Sequence, residues 1–181
     1  MNLKDFETAV VQHRDRVFGF ALHFLGNRQE AEDITQDVLI RLWSNRDSVD
    51  QSTLAAWLLR VARNACVDQY RKRKIRSQGV DPISPDHDTI AAAGEIMPDT
   101  EIDNRMLTDQ VMKSVDALRE PYKSIVILRE MQDLTYEEIS AALELPLSTV
   151  KVYLHRGRRA VRESIRQIYG DLELAADGAG R

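Results

Sequence analysis

Six lysines or arginines and one acid, Glu163, lie between Ser148 and Arg166. That density suits the neutralisation of phosphates with release of their counterions. At about 100° per residue, Ser148, Lys151, His155, Arg159, Arg162 and Arg166 collect on one side of a helix, with Arg156 and Arg158 flanking it. Val150, Tyr153, Leu154, Gly157, Val161, Ile165 and Ile168 fall on the opposite side. One face is made to pack and the other to meet a polyanion. Ser148 also suits a helix cap and His155 an ordinary surface position. Gly157 disfavours helix, so its presence predicts close approach by a neighbouring helix.

A second basic helix has different chemistry. From Leu54 to Gln78 seven basic residues accompany one acid, Asp68. Arg60, Arg63, Asn64, Val67, Arg71 and Lys74 lie opposite the apolar positions Leu54, Trp57, Leu58, Val61, Ala62 and Ala65. Basic groups of this kind hold a backbone, while Asn64, Gln69 and Tyr70 suit contact or stacking with bases. A polybasic helix end also complements the helix dipole, so this signal is weaker alone. Upstream, Asp33, Gln36, Asp37 and Ile40 share one side of a helix whose inner side is Ala31, Ile34, Val38 and Leu42. Carboxylates around an exposed apolar residue fit a protein docking face, although a solvated helix face has the same pattern.

The elements that position these groups are helical throughout. Helix periodicity dominates and strand alternation is missing, which predicts an all-α fold. Leu3, Phe6, Val10, Val17, Ala21 and Leu25 predict a first helix ending near Gly26, and Asn27 with Glu30 resembles a capping box opening the second. Thr135 and Glu138 mark another helix start, with Ile139, Ala142 and Leu143 inward, and a further helix follows Pro146. This is the layout of a helix-turn-helix, whose second helix enters the major groove. Between Gly79 and Asp103 there are three prolines, seven acids and no lysine or arginine, the composition of a flexible acidic linker. Residues 1–78 and 105–170 are therefore expected as two small helical domains, with 79–104 between them and 171–181 as a frayed tail.

Composition narrows the function. With 25 lysines and arginines against 29 acids the formal charge is −4, so affinity for nucleic acid must be local. The lone Cys66 excludes an intramolecular disulfide, disfavours a thiolate zinc site, and sits at a core position of its helix. Histidines 13, 23, 87 and 155 are scattered, and neither a phosphate-cradling glycine loop nor a nucleophile elbow is present. No enzymatic activity, metal or cofactor is expected. The start lacks a signal-peptide pattern and no apolar run approaches a membrane span, so a cytoplasmic protein without membrane insertion is expected.

AEDITQDVLIRLW, then WLLRVARNACVDQYRKRK, then LREPYKSIVILREMQDLTYEEISAALELPLSTVKVYLHRGRRAV resemble, in order and spacing over about residues 3 to 168, the small alternative sigma factors of the extracytoplasmic-function group, group IV. The resemblance implies docking of Asp33, Gln36 and Asp37, beside Ile40, on the clamp helices of core RNA polymerase. It implies recognition and opening of the −10 promoter element by the loop 45–53 with Arg60, Asn64, Asp68 and Arg71, on a face that also carries Arg63 and Lys74. It implies binding of the −35 duplex by Ser148, Thr149, Lys151, His155, Arg156 and Arg159. The loop lacks the aromatic residue common before the tryptophan segment. Promoter DNA, core polymerase and an anti-sigma factor are the implied partners, with the chain a monomer in the holoenzyme. The competing reading is a free-standing, dimeric helix-turn-helix regulator, which leaves the second basic helix and the acidic face without a role.

Overall fold

A computed structural model describes residues 1–78 and 102–178, and every regular element among them is helical. Helix α1 (Leu3–Leu25) opens on a full capping box: Asp5 N–H donates to the Asn2 side chain and Asn2 N–H to the Asp5 carboxylate. It ends at Gly26, whose φ of 65° is the left-handed conformation glycine adopts without strain. Helix α2 (Arg28–Ser44) starts as expected at Asn27, which accepts from Glu30 N–H at 3.0 Å. The reciprocal half of that box is not made. Glu30 turns instead to Gln69 and Arg73, tying α2 to α3.

Helix α3 (Leu54–Gln78) follows a short 3-10 turn at Gln51–Thr53 and packs on α1 and α2. Val17, Phe20, Phe24, Val38, Leu42, Leu58 and Cys66 are buried here, Cys66 with its thiol pushed up to about 12 by burial. Two apolar assignments differ from the sequence reading. Leu3 is 60% exposed, outside the core, and Val67 is buried although it sits among the charged positions of α3. Helix α3 is flanked on two sides, by α1 and α2 and by α6 of the second domain.

The second domain comprises α4 (Ile102–Asp116), α5 (Tyr122–Val126) running into a π-helical turn at Ile127–Met131, α6 (Tyr136–Leu143) and α7 (Leu147–Gly178). The acidic segment expected as a linker over 79–104 lies, up to residue 101, outside the described residues. The expected frayed tail from residue 171 is helical as far as Gly178, where the run Asp171-Leu172-Glu173-Leu174-Ala175-Ala176 is rich in good helix formers.

Ile125, Leu128, Leu134, Ile139, Val150 and Leu154 fill this domain's core. Gly157 meets the expectation of close helix approach: a Cβ there would stand 2.8 Å from Val126 Cγ2 of α5. Helix α6 has the complete Thr135–Glu138 capping box. Between α6 and α7 the chain turns at Glu144, whose φ of 54° places a non-glycine residue in the left-handed region at a cost of about 1 kcal/mol. Ser140 Oγ donates to Leu145 O at 2.6 Å and closes the turn.

The two domains rest on each other. Helix α6 packs along α3, and the π-helical turn packs on α1, where the Gln132 side chain lies against Gly19. Lys123 of α5 is 1% exposed and sits with its ammonium 4.3 Å from the Phe24 ring and 4.4 Å from the Tyr70 ring, both of the first domain. Its charge is met by Asp116 at 2.6 Å. Burial holds its pKa below the usual lysine value, with Asp116 opposing the shift.

Candidate nucleic-acid interfaces and docking face

On α7 the sequence expectation and the geometry coincide. Val150, Leu154 and Gly157 are buried, and Tyr153 and Val161 are half-buried; Ser148, Lys151, His155, Arg156 and Arg159 are exposed on the outer side and Thr149 is half-buried. The helix-turn-helix clamps this orientation: the capping box fixes the start of α6, Ser140 fixes the turn, and Val150 N–H donates to Pro146 O at the start of α7. Arg159 meets Glu163 at 3.0 Å on the same exposed side. Arg158 behaves differently. Its Nε and Nη2 donate to Glu130 at 2.9 and 2.6 Å, so although exposed it ties α7 to the π-helical turn.

On α3 the candidate residues divide. Asn64, Asp68, Arg71 and Lys74 are exposed, with Asp68 and Arg71 3.9 Å apart. Arg60 and Arg63 are only partly exposed and face the other domain. Arg63 Nε and Nη2 donate to Glu120 at 3.0 and 2.8 Å, and Arg60 pairs with Glu144. Glu120 also accepts from Ser124 N–H and Oγ, which holds its carboxylate in place. The loop at 45–53 is organised from within. Asp50 caps the 3-10 turn by accepting from Ser52 N–H and Oγ, and the Ser52 backbone hydrogen bond pulls its carboxyl below the usual range.

On α2, Asp33 and Gln36 are exposed, Asp37 pairs with Arg41 at 2.9 Å, and Ile40 is 64% exposed. Ile40 is not isolated. It joins Leu3, Phe6, Leu39 and Trp43 in a shallow apolar depression between α1 and α2. Phe6 and Trp43 meet edge to face with centroids 5.0 Å apart, and the Arg46 guanidinium covers the outer face of Trp43. The helical pattern placed Leu3 and Phe6 on the apolar side of α1; their place beside Ile40 depends on the α1–α2 crossing and is not visible in one helix's periodicity.

Among the described residues no helix is long and apolar enough to cross a membrane, and no cluster of histidine, cysteine, aspartate and glutamate has a metal-binding arrangement.

The helix-turn-helix with its exposed basic face, a second basic helix, and the acidic and partly apolar face of α2 lie in two helical domains. Residues 9–75 match sigma-70 region 2 and residues 108–161 match sigma-70 region 4. The chain is 30% identical over 170 residues to the ECF RNA polymerase sigma factor SigW of Bacillus subtilis, covering 90% of each. It is 32% identical over 162 residues to the ECF RNA polymerase sigma factor SigE of Mycolicibacterium smegmatis, covering 89% of this chain and 62% of that one. Its fold is similar to that of the sigma factor RpoE of Bartonella quintana, solved in complex with the anti-sigma factor NepR, with a TM-score of 0.65 and 23% identity over 91% of this chain and 98% of that one. The chain therefore belongs to the sigma-70 family of RNA polymerase sigma factors, as an alternative sigma factor.

Proposed function

We propose that this chain is a factor of the extracytoplasmic-function group, group IV, and works in the cytoplasm as a monomer within the holoenzyme, without catalysis of its own. Residues 1–78 dock on core RNA polymerase and handle the −10 element; residues 105–170 bind the −35 element; the acidic segment 79–104 tethers them. Asp33, Gln36, Asp37 and Ile40 form the polymerase contact, extended by Leu3, Phe6, Leu39 and Trp43. Arg60, Arg63, Asn64, Asp68, Arg71 and Lys74, with the loop 45–53, hold the opened −10 strand. Ser148, Thr149, Lys151, His155, Arg156 and Arg159 contact the −35 duplex. An anti-sigma factor is a further partner, by analogy with the solved complexes of similar sigma factors.

The physical split supports this assignment. A helix presented by a turn suits duplex reading in the major groove, whereas opening costs a few kcal/mol of unstacking and calls for a basic track that holds a single strand. The single observation that carries the reading is α7, whose inner side is buried while every charged group assigned to the duplex is exposed. Transcription in vitro with core polymerase and a promoter library tests it: run-off products from a shared set of promoters are expected, and their absence overturns it. In the same assay Asp33→Lys with Asp37→Lys should weaken holoenzyme formation while helical content stays unchanged.

A further inference from the structure

We propose that Val152 is a base-reading residue of α7, whose two methyl groups seat the 5-methyl group of one thymine in the major groove of the −35 element. The inference deepens the assignment of α7 to that duplex and rests on it.

Val152 is 46% exposed and stands outside the packed apolar cluster that takes in Val150, Leu154 and Val161. At about 100° per residue it falls between Arg159 and Arg156, on the side turned away from Val150 and Gly157. Ser148 lies four residues before it and His155 and Arg156 three and four after, so all three are its neighbours on the helix surface, and all are exposed. It sits in the second turn of α7, which starts at Leu147. This is the end of a helix-turn-helix recognition helix that is directed at base edges.

The fold supplies no other use for the side chain. Valine is a weaker helix former than alanine, and this one packs on no core that would offset the difference. Val11 of α1, at 81% exposure, asks for no explanation, since single apolar residues are ordinary on a surface. Val152 differs in its company. The groups around it are those assigned to the duplex, and it is an apolar spot at the centre of their polar ring.

That placement has a chemical meaning. Phosphate contacts made by surrounding cations fix the register of a helix on DNA but carry no sequence information. In the major groove thymine presents a methyl group, whereas cytosine presents an amino donor. Valine attracts the first by burying apolar surface. It has no acceptor for the second, so a cytosine pressed against it keeps a desolvated donor without a partner. One apolar side chain thus selects by attraction and by exclusion together.

The test uses holoenzyme reconstituted from core polymerase and the full chain, with a duplex promoter taken from the run-off products of the library. Each thymine of its −35 element, on either strand, is replaced in turn by deoxyuridine, which keeps base pairing and removes only the methyl group. At one position this should weaken equilibrium binding by wild type about fourfold, the effect of one buried methyl group. Val152→Ala, which favours helix, should bind the unmodified promoter more weakly and be indifferent to deoxyuridine at that position. Its salt dependence should match wild type, because no phosphate contact is lost. A purely structural role would instead weaken binding to both probes alike and leave the deoxyuridine effect in place. The proposal is overturned if the element holds no thymine, if no thymine responds in wild type, or if Val152→Ala retains the full response. A library that gives no run-off product removes the promoter assignment and this inference with it, whereas run-off without a thymine effect removes the inference alone.

Discussion

Helices α3 and α7 carry similar charge and meet opposite surroundings. Both set an apolar side against a core and a basic side away from it. On α7 the basic side faces solvent, and Glu130 takes Arg158 at the helix flank. On α3 the basic side is shared: Arg60 and Arg63 are taken up by glutamates from the other domain, while Asn64 and Arg71 are not. Positive charge along a helix therefore states what the helix can bind, and the neighbouring domain decides which part is available.

The largest effect expected from breaking this comparison is at the seat of α7. Leu154→Ala should lower stability by about 3 kcal/mol, because a fully buried side chain leaves a cavity. Urea unfolding measures this, and a loss of less than about 1 kcal/mol would mean that the inner side of α7 does not fix its outer face.

A sharper contrast lies on α7 itself. Arg159→Ala should weaken duplex binding and lower the slope of log K against log salt by about 1. Arg158→Ala should leave that slope unaltered and instead loosen α7 from the π-helical turn, at about 1 kcal/mol or less. Titrations of the two variants at several salt concentrations decide the matter; equal slopes would place both arginines on phosphate.

The smallest effect concerns the turn that aims α7. Thr135→Ala should remove about 1 kcal/mol through loss of the cap. Glu138, which accepts from Thr135 N–H, has its carboxyl held below its ordinary value of 4.5. A depressed carboxyl stabilises the fold above that value and loses its contribution as pH falls through the lowered one. Acid titration of helical content should thus be shallower below pH 4.5 in Glu138→Gln than in wild type, and identical curves would remove Glu138 from the account.

The features readable from sequence were those set by local periodicity. The two faces of α7, the Thr135–Glu138 box, the need for glycine at position 157 and the buried Cys66 all depend on spacings within one helix or one turn. Glu30 shows where this begins to weaken, since its side chain leaves the expected local box for Gln69 and Arg73 on α3. Leu3 and Val67 show the next step. Leu3 lies on the apolar side of α1 yet is exposed, and Val67 lies among the charged positions of α3 yet is buried, so one helix's period does not fix either. The glutamate–arginine pairs across the domains were not legible because no period links residue 60 to 144 or 63 to 120.

The condition of Cys66 has a consequence for its reactivity. Burial pushes its thiol up to about 12, so the thiolate is scarce at neutral pH, and the side chain is shut away from solvent. The thiolate is the form that attacks peroxide and other electrophiles, so Cys66 offers them no ready nucleophile while the domain is folded. Cys66 is thus a packing residue of the first domain's core and not a reactive thiol in the folded chain.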